Sequence, residues 1–392
     1  MLRQRYGFFA AAAVAAVAMW ASGASSVNYP LYAAHWHLDA WVTSAMFGVY
    51  PAVSIAMLLI FGNLSDHVGR RTTILLGLGL VIAGGVILGF APEAWTVFLG
   101  RILLGAGVGL AFAPATAAII EFGGPDGARI AGATVSVATS AGLTVSAILG
   151  GALVEWAPAP MVLNQWVFVI AAVAVFALSL RLPRHTRDEA KGRWRPRALL
   201  IPAQGRSWFA AGVFGVISSF LIGAIFVGMG ATIARGLLGS SDAFIGGLVI
   251  GLSTATVAVA SLTLRRLRPE SMLRWGLVAA VVSMVALALC AVVPSLPLFF
   301  GSSVVSGFAF ALLTSGGLAF VGKAAPLHHR GAAVSTAYVF GYIAQVVGSL
   351  GLGALAGSGG FGVAVVTGAV LVVATAAGAA VFGRASEARA YA

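Results

Sequence analysis

Few residues in this chain have the chemistry to do more than pack. Its 392 residues include eleven Asp and Glu, six His and one Cys, against 23 Lys and Arg. The densest group is Gly62-Asn63-Leu64-Ser65-Asp66-His67-Val68-Gly69-Arg70-Arg71, where a carboxylate, two guanidiniums and two turn-forming glycines crowd together. Acid–base or metal chemistry needs His, Asp, Glu or Cys gathered at short spacing. His35 with His37, and His328 with His329, have no acidic or Cys partner nearby, and no nucleophile has a visible base. An enzyme, a bound metal and a cofactor are therefore not expected.

What remains is electrostatics. Arg101 is the only basic residue inside an apolar run. A charge there costs roughly 2.5–3.5 kcal/mol on insertion scales. Either it snorkels to the outer headgroups, about 8 Å away at 1.5 Å per residue, or it faces an internal cavity and orients a solute. No Asp or Glu lies mid-run. Proton carriers in membranes are usually intramembrane acids or His, so if protons move, Asp66, Glu121 and Asp39 are the candidates, with Arg101 in support. A neutral or anionic amphiphile fits this inventory better than a dication.

These residues are set among long apolar runs. The chain is 60% hydrophobic and 9% charged, with a mean hydropathy of +1.00, far from the roughly 25% charge of soluble domains. A helical span needs about 20 apolar residues. The sequence offers about twelve, at 8–28, 40–61, 72–91, 96–120, 130–153, 163–182, 208–233, 243–264, 272–293, 297–321, 332–356 and 362–383. The runs are continuous rather than alternating, which argues against a membrane barrel. The N-terminus mimics a secretory signal at Ala21-Ser22-Gly23-Ala24, but the apolar run continues to Tyr32, which favours a retained first helix. The expected fold is an all-α membrane protein with six helices in 1–182, a basic linker in 183–207 and six helices in 208–392.

Sorting the cations by loop places 21 of 23 on one side, Arg235 on the other and Arg101 within a span. The positive-inside rule then puts both termini in the cytoplasm of a multi-pass inner-membrane protein. The net charge of +12 is accounted for by loops beside anionic lipid; nucleic acid is not an expected partner. The halves repeat weakly. Pro125 to Arg129 matches Pro326 to Arg330 at an offset of 201, Gly100 matches Gly301, and Gly109-Leu110-Ala111-Phe112-Ala113 resembles Gly307-Phe308-Ala309-Phe310-Ala311 at 198.

At Gly62, Asp66, Gly69, Arg70 and Arg71 the chain resembles the loop signature of the major facilitator superfamily, and it falls between the second and third spans as in that family. Arg101 followed by Gly105 and Gly107 resembles the family's fourth-helix motif. Gly142 to Gly151 resembles its fifth-helix antiporter signature, with Ser146 and Ala147 in place of the usual glycine and proline. The resemblance implies a two-bundle secondary transporter working by alternating access, with the Asp66 loop as a gate latch. It implies a proton-linked exporter of small amphiphiles, with a sugar or metabolite carrier as the alternative, acting as a monomer. The spans lining the centre of that fold would bring Asn28, Tyr50, Phe112, Ser219, Phe226, Tyr338, Tyr342 and Gln345 to a solute.

Overall fold

The computed structural model describes residues 2–124, 127–183, 199–202, 205–264, 266–326 and 330–390, without the side chains of 2, 3, 128, 129 and 385–390. Fourteen helices are described: α1 Leu2–Gly23, α2 Tyr29–Trp36, α3 Ala40–Phe61, α4 Ser65–Val68, α5 Arg70–Phe90, α6 Ala94–Phe122, α7 Gly127–Trp156, α8 Leu163–Ser179, α9 Arg206–Gly223, α10 Gly230–Leu238, α11 Ala243–Thr263, α12 Pro269–Cys290, α13 Leu296–Ala324 and α14 Arg330–Ala390. Among the described residues ten helical segments are long and apolar enough to cross a membrane. α8 is shorter, and α14 is two crossings joined at Gly360, whose φ of 85° breaks the helix. The apolar runs therefore form the all-helical membrane fold expected of them.

Contacts divide the chain into two compact units. The first holds Met1–Leu38 and Val49–Arg197; the second holds Asp39–Gly48 and Ala198–Ala392. The two units share a plan at an offset near 200 residues. Each opens with a helix that breaks partway. α1 stops at Gly23, passes through a 3-10 turn at Ser26–Asn28 and resumes as α2. α9 stops at Gly223, widens into a π turn at Ala224–Gly228 and resumes as α10. α2 ends on left-handed His37 and α10 on left-handed Gly239, and these caps donate to Ala33 O and Ala234 O.

Helix contacts repeat in the same register. Ser54 Oγ donates to Gly105 O at 3.1 Å, while Ser253 and Ser306 share a hydroxyl bond of 2.8 Å. Gly109 lies so close to α3 that a Cβ there would stand 2.7 Å from Ser54 O; Gly307 likewise abuts Ser253 O. Small residues let these backbones meet, which replaces hydrophobic driving force inside lipid.

One repeated contact is inverted. In unit 1 Arg70 Nη1, at the start of α5, meets Glu121 Oε2, in the last turn of α6, at 2.6 Å. In unit 2 Glu270, in the first turn of α12, meets Lys323 Nζ, in the last turn of α13, at 2.5 Å. The offsets are 200 and 202. Anions suit helix N-termini and cations suit C-termini, by about 0.3–1 kcal/mol each. The unit 2 pair follows both helix dipoles, and the unit 1 pair opposes both. Giving unit 1 the unit 2 polarity, with Arg70→Glu and Glu121→Arg together, should leave the melting midpoint in detergent unchanged or raised. Either change alone should lower it. A double variant less stable than both singles would contradict this reading of the pair.

Candidate functional site

The break in α1 lies within an apolar stretch and leaves carbonyls that no helical N–H satisfies. In hydrocarbon such groups must find partners inside the protein. Here side chains from three other helices supply them. Tyr50 Oη of α3 adds a bond to Ala18 O at 3.2 Å, a carbonyl still inside the helix. Ser146 Oγ of α7 donates to Trp20 O at 3.3 Å. Arg101 Nη1 of α6 donates to Ala21 O at 3.2 Å and Ser22 O at 2.9 Å. From α8, Asn164 Nδ2 and Gln165 Nε2 donate to Ala24 O at 2.8 and 3.2 Å.

Arg101 is completely buried, so it does not snorkel. Its guanidinium also stands over the Tyr50 ring, with Cζ 4.7 Å from the centroid. The carbonyl end of α1 is the negative end of its dipole, and a cation placed there is favoured. Cation–π attraction adds to this where the pair is desolvated. Arg101 is the only charged side chain among the fully buried described residues.

Beside this node lie buried polar atoms for which no hydrogen-bond partner is described, Trp20 Nε1, Ser26 Oγ and Tyr29 Oη, while the Tyr32 hydroxyl lies against the Gln165 side chain. All three unpartnered atoms can donate. Buried polar groups are nearly always paired, so this concentration marks a place where water or a solute's polar groups would bind.

Asn28 is part of the clamp. Its Oδ1 accepts from Asn164 at 2.8 Å and its Nδ2 donates to Pro160 O at 3.1 Å. Both ends of the amide are thus engaged within unit 1. Tyr50 is held by Ala18 and Arg101, and Phe112 is half-buried on α6. Asn164 and Gln165 were not singled out from sequence, although two adjacent amides opening an apolar span were a usable signal.

In unit 2 the aromatic residues gather on Phe220. Its ring centroid lies 4.8 Å from Tyr342, 6.1 Å from Tyr338 and 6.3 Å from Phe310. The Gln345 amide sits beside Gly223, just before the π turn, where a Cβ would stand 3.5 Å from its Nε2. Ser219 Oγ bonds its own helix at Val216 O. Phe226 stacks on Phe299 in the core at 6.4 Å. Their side chains serve packing here. π turns concentrate where a helix must deform around a site, and this one adjoins the aromatic group.

In the loop motif Gly69 has φ 89° and ψ 142°, a conformation open essentially to glycine. It sits between α4 and α5, and its carbonyl accepts from Thr73 Oγ1 at 3.0 Å. Asp66 and Arg71 are half-buried in unit 1, and Asp39 is exposed at the start of α3. In the repeat loop, Pro125 and the Arg129 side chain lie outside the described residues, as does most of the 183–207 linker. Pro326 is exposed, and Arg330 Nε donates to Ala325 O at 3.4 Å.

Comparison with known proteins gives the same fold. The family model described as Major Facilitator Superfamily matches residues 11–293. Inositol transporter 4 of Arabidopsis thaliana is 31% identical over 153 residues, 38% of this chain and 25% of that protein. Multidrug efflux pump LfrA of Mycolicibacterium smegmatis is 29% identical over 179 residues, 44% of this chain and 34% of that protein. The chain spans a quarter to a third of these relatives. A bacterial homolog of the human lysosomal transporter Spinster, solved inward-facing and unoccupied, superposes with a TM-score of 0.75 over 97% of both chains at 15% identity. A POT family transporter in complex with 5-aminolevulinic acid also scores 0.75, at 14% identity over 97% of this chain and 96% of that one.

The clamp generates a stability prediction. Asn164→Leu removes the donor to Asn28 Oδ1 and leaves Ala24 O with Gln165 alone, without touching a charge. It should destabilise unit 1 by about 1–3 kcal/mol, read as a lower thermal-aggregation midpoint in detergent. An unchanged midpoint would mean that the Asn164 bonds do not hold the break.

Proposed function

The chain belongs to the Major Facilitator Superfamily, and from that premise we propose that it is a proton-linked exporter of small neutral or anionic amphiphiles, working by alternating access. The observation that carries this reading is the group of unpartnered buried polar atoms at Trp20, Ser26 and Tyr29, next to the Tyr32 and Gln165 side chains, beside a buried cation and with no fully buried carboxylate described. Such a place accepts a polar or anionic head and offers nothing to a dication. The aromatic group around Phe220 provides apolar surface, as most solute sites do. Asp66, Asp39 and Glu121 are the proton candidates, and Arg70 holds Glu121. The protein acts as a monomer in the inner membrane with its basic loops and both termini in the cytoplasm.

A second reading has its own support. The unpartnered groups are mostly hydroxyls, and similarity extends to inositol transporters and to a D-xylose transporter of Levilactobacillus brevis. That chemistry also suits a polyhydroxylated metabolite.

Flux in proteoliposomes separates the two. The exporter reading expects saturable movement of a lipophilic anionic dye that slows several-fold when the pH gradient is collapsed. Dye flux equal to empty vesicles, with saturable uptake of labelled inositol, would replace it by the second reading. Dye flux indifferent to the gradient would remove the proton.

A further inference from the structure

The connection from α7 to α8 runs over the break in α1. Its residues are Ala157-Pro158-Ala159-Pro160-Met161-Val162. Asn28, in the 3-10 turn at the break, donates from Nδ2 to Pro160 O at 3.1 Å. Val27 and Asn28 are fully buried, whereas Pro158, Ala159 and Val162 are exposed. A cover one chain thick therefore separates the turn from the surface. Gly150 lets α7 close on the same place. A Cβ there would stand 3.1 Å from both Val27 Cγ2 and Asn164 Oδ1.

That cover is lightly held and strained. Ala159 has φ 57°, in the left-handed region where a Cβ crowds the following carbonyl. It also precedes Pro160, and a residue before proline is pushed toward extended backbone. Pro158 and Pro160 have no N–H with which to bond inward. The described backbone bonds, Ala157 N to Leu153 O and Val162 N to Ala159 O, only close local turns. The Asn28 bond ties the middle of the segment to α1. Strained backbone persists where its surroundings over-determine it, and it gathers at clamps and switches. Segments with few buried contacts open locally at low free energy.

We propose that residues 157–162 are a lid on unit 1, latched by Asn28 on Pro160 O and held under strain at Ala159. Lifting it opens the 3-10 turn, with the unpartnered Ser26 and Tyr29 hydroxyls, to water. The device acts within unit 1 and does not rest on the solute or the coupling ion proposed above.

Thiol accessibility of the full chain in detergent tests this. Val27→Cys places a small probe in the turn without removing a polar group, and the chain without it gives the blank for Cys290. Reaction with a charged methanethiosulfonate reagent should be slow and should track the open fraction of the lid. Ala159→Gly, at an exposed position, relieves the strain and should slow the reaction about fivefold. Ala159→Val puts a β-branched residue at positive φ and should speed it by about as much. Asn28→Asp keeps the acceptor for Asn164, loses the donor to Pro160 and should also speed it. Val14→Cys, a probe fully buried in α1 before the break, should respond to neither Ala159 change. Equal rates for Ala159→Gly and Ala159→Val would overturn the proposal. So would an Asn28→Asp chain that reacts no faster, or a Val27→Cys probe that reacts like an exposed thiol without further change. Parallel changes at Val14→Cys would also overturn it, by showing that unit 1 loosens as a whole.

Discussion

The structure depends on one unmet demand: the carbonyls at the break in α1, inside an apolar environment, need donors. Left unpaired in lipid, each would cost several kcal/mol. Arg101, Ser146, Asn164 and Gln165 come from three other helices to meet it. The arrangement explains two expensive features together. A buried guanidinium is costly alone, and so is a broken helix. Here the cation caps the negative end of the helix, and each feature offsets the cost of the other. The clamp also fixes where α1 meets α3, α6, α7 and α8, so the packing of unit 1 follows from it.

Unit 2 carries a break at the corresponding position and resolves it differently. Its π turn keeps the backbone bonded, with Met229 N donating to Ile225 O at 3.1 Å, so no cation is required. At the offset of 201 the place of Arg101 is held by Ser302, whose hydroxyl bonds Phe299 O of its own helix. The duplicated plan has thus diverged chemically. Unit 1 holds the buried charge and most of the unpartnered donors described, and unit 2 holds an aromatic group beside Gln345. The ion pairs diverge too. The polarity in unit 1 works against both helix dipoles, a stability cost that points to a demand on Arg70 and Glu121 beyond holding two helices together.

The crossings were legible because hydropathy and length are properties of local sequence. The second span was expected at 40–61 and α3 occupies Ala40–Phe61. The gap between 356 and 362 contains the Gly360 break. The helix breaks were not legible. A window of apolar residues reads the same whether the backbone is α, 3-10 or π. The cues were Ser25, Ser26 and Asn28 in one unit, and Gly223 and Gly228 in the other. Arg101 was visible as an anomaly, but its partners are backbone carbonyls about 80 residues away, which no residue type announces. The Arg70–Glu121 pair spans 51 residues and depends on the antiparallel return of α6 beside α5. The repeat offset seen in the glycines would have led from that pair to Glu270 and Lys323.

Amide hydrogen exchange across residues 20–30, in the native chain and in Arg101→Met, bears most directly on the claim that side chains hold the break in α1. The account predicts slow exchange in the native chain. It predicts marked acceleration confined to that stretch in the variant, with residues 222–232 of unit 2 unaffected because their break is closed by backbone bonds. Exchange across 20–30 that stays as slow without the guanidinium would contradict it.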